Sequence, residues 1–260
     1  MAKHWTTPRE HGAWGMLYVP LTLALLETRH FSWDAALLAL SATFAFLSRA
    51  PLQAAARAWR WRKPFGEPLK LGAIYLTGAG TCGGWLIVSG YQGLLLPAAA
   101  GTAILGLNLM QSIDREEKSL AAELLAAAAL SLTAPAAHYL ALREWSADAW
   151  ILWLLCAGFF TSGILYIKLR IAGISEKVQG ERQRLRRISA AYHVLLPALL
   201  VAAVIAGKLS WVALLAFAPV TVRGLRSSFG PLSKLNLRRA GWLEVAWSLV
   251  FLLVLGFGGW

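Results

Sequence analysis

Charge is scarce in this 260-residue chain, and negative charge most of all. Charged residues make up 15%, and Asp and Glu number 13. A soluble domain carries about 25% charge, so a soluble enzyme is disfavoured. Disorder is excluded as well, because disordered chains are poor in apolar residues. Here 58% of residues are apolar and the mean hydropathy is +0.56. There are 2 cysteines, Cys82 and Cys156, both inside apolar runs. That excludes a disulfide framework and a C-x-x-C metal site. The motifs H-E-x-x-H, G-x-S-x-G and Walker A do not occur. No segment alternates apolar and polar residues over about ten positions, which disfavours a membrane β-barrel.

What the chain has is long apolar runs. A helix needs about 20 mostly apolar residues to cross a bilayer. Nine segments approach or reach that length: His11–Glu27, Asp34–Ala56, Leu69–Ser89, Gly93–Gln111, Leu120–Leu142, Ala147–Ile167, Ser189–Gly207, Ser210–Gly224 and Ala240–Trp260. The expected fold is an all-α integral membrane protein, one polytopic domain over residues 1–260. Thirteen Trp suit membrane interfaces. The opening MAKHWTTPREHGAW does not read as a signal peptide, since Pro8, Arg9, Glu10 and His11 stand directly before the apolar run. It reads as a cytoplasmic lead into a retained first span.

The net charge of +12 then needs a location. Of 25 Lys and Arg, only Arg29, Arg143 and Lys208 fall on one face of a nine-span topology, and Arg49 lies within span 2. The other 21 share the face of the N-terminal lead and of the loops after spans 2, 4, 6 and 8. Cytoplasmic loops are enriched in Lys and Arg, so the N-terminus is expected inside and the C-terminus outside. Nucleic acid, the usual partner of a basic soluble chain, is not expected beside a membrane.

Ionisable residues within spans are costly and are candidates for function. Arg49, in FLSRAPLQ, reads as a cation facing a cavity, or as one snorkelling to the interface. Pro51 is expected to kink or loosen its helix. Arg9, Glu10 and His11 read either as a polar cavity mouth or as a helix start. Glu123 and Glu244 sit at similar depth in spans 5 and 9, each as an interfacial ion pair or as a proton-relay carboxylate. His11 and His193 share a depth, as a bis-histidine haem would require, but nothing else supports haem. GAGTCGG, over Gly78–Gly84, reads as small residues for helix packing rather than a phosphate loop. Pro20, Pro97, Pro135, Pro197 and Pro219 are candidate helix breaks. The basic stretch Lys168–Arg187 reads as a partly helical loop, touching lipid heads or covering a cavity.

The stretches PREHGAWGMLYVPLTLALL, FLSRAPLQ, DREEKSLAAELLAAAALSLTAPAA and RRAGWLEVAWSLVFLLVLG resemble the YwiC-like family of bacterial membrane proteins. That resemblance implies a multi-pass protein of the bacterial cytoplasmic (inner) membrane. More distantly, nine spans with the longer loops after spans 2 and 6 resemble the UbiA-type membrane prenyltransferases. From Arg49 the end of span 2 is similar in pattern to theirs. Where that family has N-D-x-x-D to hold Mg²⁺ and a prenyl diphosphate, this chain has Ala56-Arg57-Ala58-Trp59-Arg60. After span 6, where a second aspartate motif is expected, it has YIKLRIAG, with Lys168 and Arg170. Mg²⁺ takes hard oxygen ligands, so Mg²⁺-dependent prenyl transfer is not implied. Guanidinium and ammonium groups can meet an anion directly, or serve topology alone.

The expected function is binding, with or without modification, of a lipid or isoprenoid-like molecule with an anionic head. The site is a cytoplasm-facing cavity holding Arg9, His11, Arg49, Arg57, Arg60, Glu123, Lys168 and Arg170. No cofactor and no metal is expected; the expected partners are the bilayer and that ligand. The alternatives are a small-molecule or ion transporter, with broken helices at the midplane, and a scaffold for a membrane complex. The topology is testable with reporters active on one side of the membrane only. A cytoplasm-specific reporter should work at the N-terminus and fail at the C-terminus; the same behaviour at both ends would refute nine alternating spans.

Overall fold

The computed structural model describes residues 11–113, 119–174, 179–231 and 237–260, without the side chains of His11, Ile174, Gln179, Leu237 and Arg238. Among these residues there is no strand. The helices are α1 (His11–Thr28), α2 (Trp33–Arg60), α3 (Gly66–Val88), α4 (Leu95–Ile113), α5 (Leu120–Ser131), α6 (Thr133–Leu142), α7 (Ala147–Ile174), α8 (Gln179–Ile205), α9 (Trp211–Phe229) and α10 (Leu237–Gly258). A short 3₁₀ turn, Gln92–Leu94, leads into α4. Eight stretches are long and apolar enough to cross a membrane, with α5 and α6 counted as one. The protein is therefore a multi-pass membrane protein. The ninth expected segment is α1, whose 18 residues lie outside that set.

Local chemistry sets the helix starts. Ser32, Ser119, Ser146 and Ser210 each accept a backbone N–H from the first turn that follows, satisfying one of its orphan donors. Asp34, Glu67, Glu123, Asp148 and Glu181 lie in first turns, where the positive end of the helix dipole favours them. Within the helices, hydroxyls return to their own backbone, as Thr43 does to Ala39 O and Ser112 to Leu109 O. In an apolar medium this satisfies those hydroxyl donors locally. The outward faces are apolar. Only 11% of the α3 window is buried, and Ile74, Trp85 and Val88 on it are exposed. Lipid is the medium that such a face fits.

Many of the basic residues expected in loops sit in helices. α7 extends to Ile174 and α8 begins at Gln179, so most of the expected loop Lys168–Arg187 is two helical overhangs. The 28 residues of α7 span about 42 Å, longer than a hydrocarbon core of about 30 Å. α2 likewise carries Arg57 and Arg60 in its last turn. α9 runs past the expected end at Gly224 to Phe229, so Arg223 lies inside a helix and not in the loop to which the charge count assigned it. Pro20, Pro197 and Pro219 sit within continuous helices, as does Pro51, through which α2 runs unbroken. Pro97 falls near the start of α4. Pro135 is different. It has no N–H for the Ser131 carbonyl, and its ring crowds that group. The helix breaks there, at Leu132, between α5 and α6.

The chain forms two compact units, Met1–Trp153 and Leu154–Trp260. In the first, α3 lies against α2 through small residues. A Cβ at Gly72 would come within 2.7 Å of Leu52, and one at Gly78 within 3.0 Å of Phe44. Ser41 Oγ donates to Ala79 O across the same seam at 2.9 Å. The GAGTCGG stretch thus packs helices, as its composition implies. α1 packs on α6, where Thr133 Oγ1 donates to Leu17 O at 2.8 Å. Ala13, Leu17 and Phe46 form the apolar cluster beneath, with Trp14, Ala42 and Leu130 against it. Near Tyr91 the unit closes with polar contacts. Tyr91 donates to Asp34 Oδ2 at 2.6 Å, and the Arg143 guanidinium lies 4.2 Å from the Tyr91 ring centroid. The bond to Asp34, then burial, pushes the Tyr91 phenol above its usual pKa.

Arg29, Arg62 and Arg143 end helices with positive φ, at 51°, 52° and 60°. A non-glycine residue there costs about 1–2 kcal/mol, while glycine loses about 0.5–1 kcal/mol in chain entropy. Arg62→Gly should therefore stabilise the protein by about 0.5–1 kcal/mol in a denaturant titration in detergent. Arg143→Gly should instead destabilise, because it also loses the contact with Tyr91. Equal effects of the two changes would refute this account.

Candidate functional site

The sequence-predicted residues divide between the units. Arg9 and the side chain of His11 lie outside the described residues; the backbone of His11 opens α1. Arg49 is half-buried on α2, and Arg57 half-buried and Arg60 exposed on its last turn. Glu123 is half-buried in the first turn of α5, behind the Ser119 cap. These four belong to the first unit. Lys168 and Arg170, half-buried in the last two turns of α7, belong to the second.

The densest polar chemistry described lies in the second unit, around two residues that the sequence underrates. Arg223 on α9 holds Glu244 on α10 with both terminal nitrogens, Nη1 to Oε1 at 2.6 Å and Nη2 to Oε2 at 3.1 Å. The two side chains are 15% and 18% exposed, too buried for water to screen the pair fully. The guanidinium also lies 4.1 Å from the ring centroid of Tyr166 on α7, with that of Arg170 at 5.9 Å. Gly163 makes room for the carboxylate, since a Cβ there would sit 2.7 Å from Oε2. The ion-pair reading of Glu244 is correct, and its partner is Arg223.

Beside this pair, His193 on α8 is fully buried. Its Nδ1 lies 2.8 Å from the Ser189 carbonyl oxygen, which can only accept, so Nδ1 carries a proton. Its Nε2 lies 2.8 Å from Ser162 Oγ on α7. Ser189 Oγ lies 3.3 Å from Nδ1, and Ser228 Oγ on α9 donates to Ser189 Oγ at 2.9 Å. Both ring nitrogens are engaged, so His193 offers no lone pair to a haem iron. Gly224, next to Arg223, lets α9 approach; a Cβ there would overlap the His193 ring. Among the described residues no group of three His, Cys, Asp or Glu is placed to hold a metal.

Ser228 also lines a cleft of about 320 Å³ between α8 and α9, with Gln183, Arg186, Arg187, Ala190 and Phe229. Arg186 is committed to structure. Its Nε and Nη2 donate to Ser228 O and Gly230 O, each at 2.6 Å, and so cap the negative end of α9. Arg187 is exposed and has no hydrogen bond or ion pair among the described residues. Phe229 is 70% exposed beside it. A free guanidinium next to an exposed aromatic ring matches an amphiphile with an anionic head.

A family model described as YwiC-like protein matches residues 7–138, just over half of the chain. No curated protein and no solved structure matches.

The buried pair makes a sharp test. Removing one partner strands the other charge, at a cost of about 3–5 kcal/mol. Glu244→Ala should lower unfolding stability by that amount. The double change Arg223→Met with Glu244→Leu should recover most of it. A single change costing under about 1 kcal/mol would show that the pair behaves as a surface one.

Proposed function

We propose, for a chain that belongs to the YwiC-like family, that it binds a lipid or isoprenoid-like molecule with an anionic head group at the cytoplasmic face of the bacterial inner membrane. One observation carries this reading: the α8–α9 cleft joins the uncommitted cation Arg187 to the exposed ring of Phe229. Its volume of about 320 Å³ is at the lower end for ligand sites. That suits a head group and its first carbons, with the chain left in the bilayer. The basic overhangs of α7 and α8 would draw anionic lipids toward it. The excess of Lys and Arg on one face supports placing it in the cytoplasm. Lys168 and Arg170 remain candidate contacts within the second unit, Arg49, Arg57 and Arg60 are candidates in the first, and nucleic acid has no place in this reading.

Lipid retention tests it. Protein purified in mild detergent is extracted, and its lipids are weighed by mass spectrometry against the bulk membrane. Wild type should retain anionic over zwitterionic species. A hydrogen bond to a charged group contributes about 1.5–3 kcal/mol, so Arg187→Ala should reduce retention about tenfold or more. Arg49→Ala, measured in parallel, shows whether the first unit contributes. Wild-type retention in both variants would refute the proposal. Solute flux in proteoliposomes without any retained lipid would favour a transporter instead.

A further inference from the structure

The last four carbonyls of a helix lie beyond its own ladder and need other partners. α5 ends in the middle of a span, since Ser131 is the central residue of the 23 in Leu120–Leu142. Lipid offers no donor there. Three of the four carbonyls are met inside the protein. Ala128 O takes the Trp153 Nε1–H at 2.9 Å, Ala129 O the Leu132 N–H at 3.1 Å, and Leu130 O the Thr133 hydroxyl at 2.9 Å. For the fourth, Ser131 O, the ladder has no N–H, because Pro135 stands where the donor would be. The Ser131 hydroxyl has no hydrogen-bond partner among the described residues either, although Ser131 is 0% exposed. Both oxygens of Ser131 thus need a partner from outside the helix, and leaving them unmet is costly.

More oxygen stands beside them. Thr133 Oγ1 shares its one proton between Leu130 O and Leu17 O of α1, the latter at 2.8 Å. Its lone pairs stay open. On α1, Pro20 denies the Met16 carbonyl its helix N–H in the same way, and Met16 directly precedes Leu17. The break in span 5 and the adjoining turn of α1 therefore bring together hydroxyl and carbonyl oxygens, all uncharged.

We propose that the α5–α6 break binds a dehydrated sodium ion, held by Ser131 Oγ, Ser131 O, Thr133 Oγ1 and Met16 O. Uncharged oxygens can replace the hydration shell of a monovalent cation. Divalent ions take carboxylates, and this set holds none. The negative end of the α5 dipole points at the break and favours a positive ion there. A helix broken at the midplane, with its carbonyls turned loose, is the arrangement in which membrane transporters seat sodium. The site lies within the first unit and does not rest on the lipid reading of the second.

The test is sodium binding by the full chain in nanodiscs, read as retained ²²Na⁺ and as the shift in thermal unfolding. Sodium, potassium and choline chloride are titrated at constant ionic strength. A ligand that binds only the folded state raises the unfolding temperature in a saturable way. Sodium should do so, potassium less, and choline not at all. Ser131→Ala removes the hydroxyl and should weaken sodium binding about tenfold or more. In choline the same variant should unfold no earlier than wild type, since it removes only a buried group without a partner. Pro135→Ala returns an N–H to the Ser131 carbonyl and should weaken sodium binding through a different oxygen. Equal unfolding of wild type in all three salts would overturn the site, as would a sodium shift kept in full by both variants. Earlier unfolding of Ser131→Ala in choline would show the hydroxyl already bonded within the protein, and would overturn it too.

Discussion

A charge inside an apolar bundle must be matched where it lies, and the second unit is arranged around that demand. Arg223 and Glu244 sit on neighbouring helices, largely out of water. Their mutual attraction is strong in such a medium, yet so is the cost of desolvating them. The surroundings reduce that cost. Tyr166 offers its ring face to the guanidinium. Gly163 lets α7 come close to the carboxylate. Ser248 returns its own hydroxyl to the Glu244 carbonyl and so competes for neither charge. The pair fixes how α9 and α10 register against each other. That in turn sets Gly224 against the His193 ring.

The first unit also joins its helices through neutral contacts. Its seams are made of small residues and single hydrogen bonds, as at Ser41 and Thr133. Ionisable contacts lie toward its helix ends: Asp34 with Tyr91, and Glu27 Oε2 at 3.4 Å from His138 Nε2. Aromatic rings continue that end, with Tyr139, Trp145 and Trp150 stacked in series. Trp153 closes the row by donating to Ala128 O at 2.9 Å. Trp and Tyr favour the boundary between lipid and water, so such a row suits a membrane interface.

The fold was legible because its signal is additive. Twenty apolar residues in a row outweigh any one misread position, and the helices fall where hydropathy puts them. Helix ends were less legible, because hydropathy marks the membrane and not the helix. Basic residues end an apolar run, but Lys and Arg are good helix formers. Hence α7 and α8 continue into what reads as a loop. The same effect hid Arg223. Span 8 was expected to end at Gly224, whereas α9 continues through Pro219 and on to Phe229. Pro135 was the productive proline, because it denies the Ser131 carbonyl a helix bond and the helix breaks at Leu132. The His193 network gave almost no signal. Serine is common in membrane helices, and spacing along one chain cannot show that Ser162, Ser189 and Ser228 meet.

Glycine shows why composition underdetermines a site. Gly72 and Gly78 face Leu52 and Phe44, whose flexible apolar side chains can give by a few tenths of an ångström. Gly163 and Gly224 have the same one-letter appearance, but they face a carboxylate and an imidazole. Neither neighbour is free to yield. The Glu244 carboxylate is held by two nitrogens of Arg223, and the His193 ring is held at both of its own nitrogens. A methyl group at the first kind of glycine costs packing. At the second kind it must also break a polar network that has no water to fall back on. The helix spacing that makes small residues useful in lipid thus also lets polar groups from three helices reach one another in the second unit. Close approach and buried polarity are there one design, and neither survives without the other.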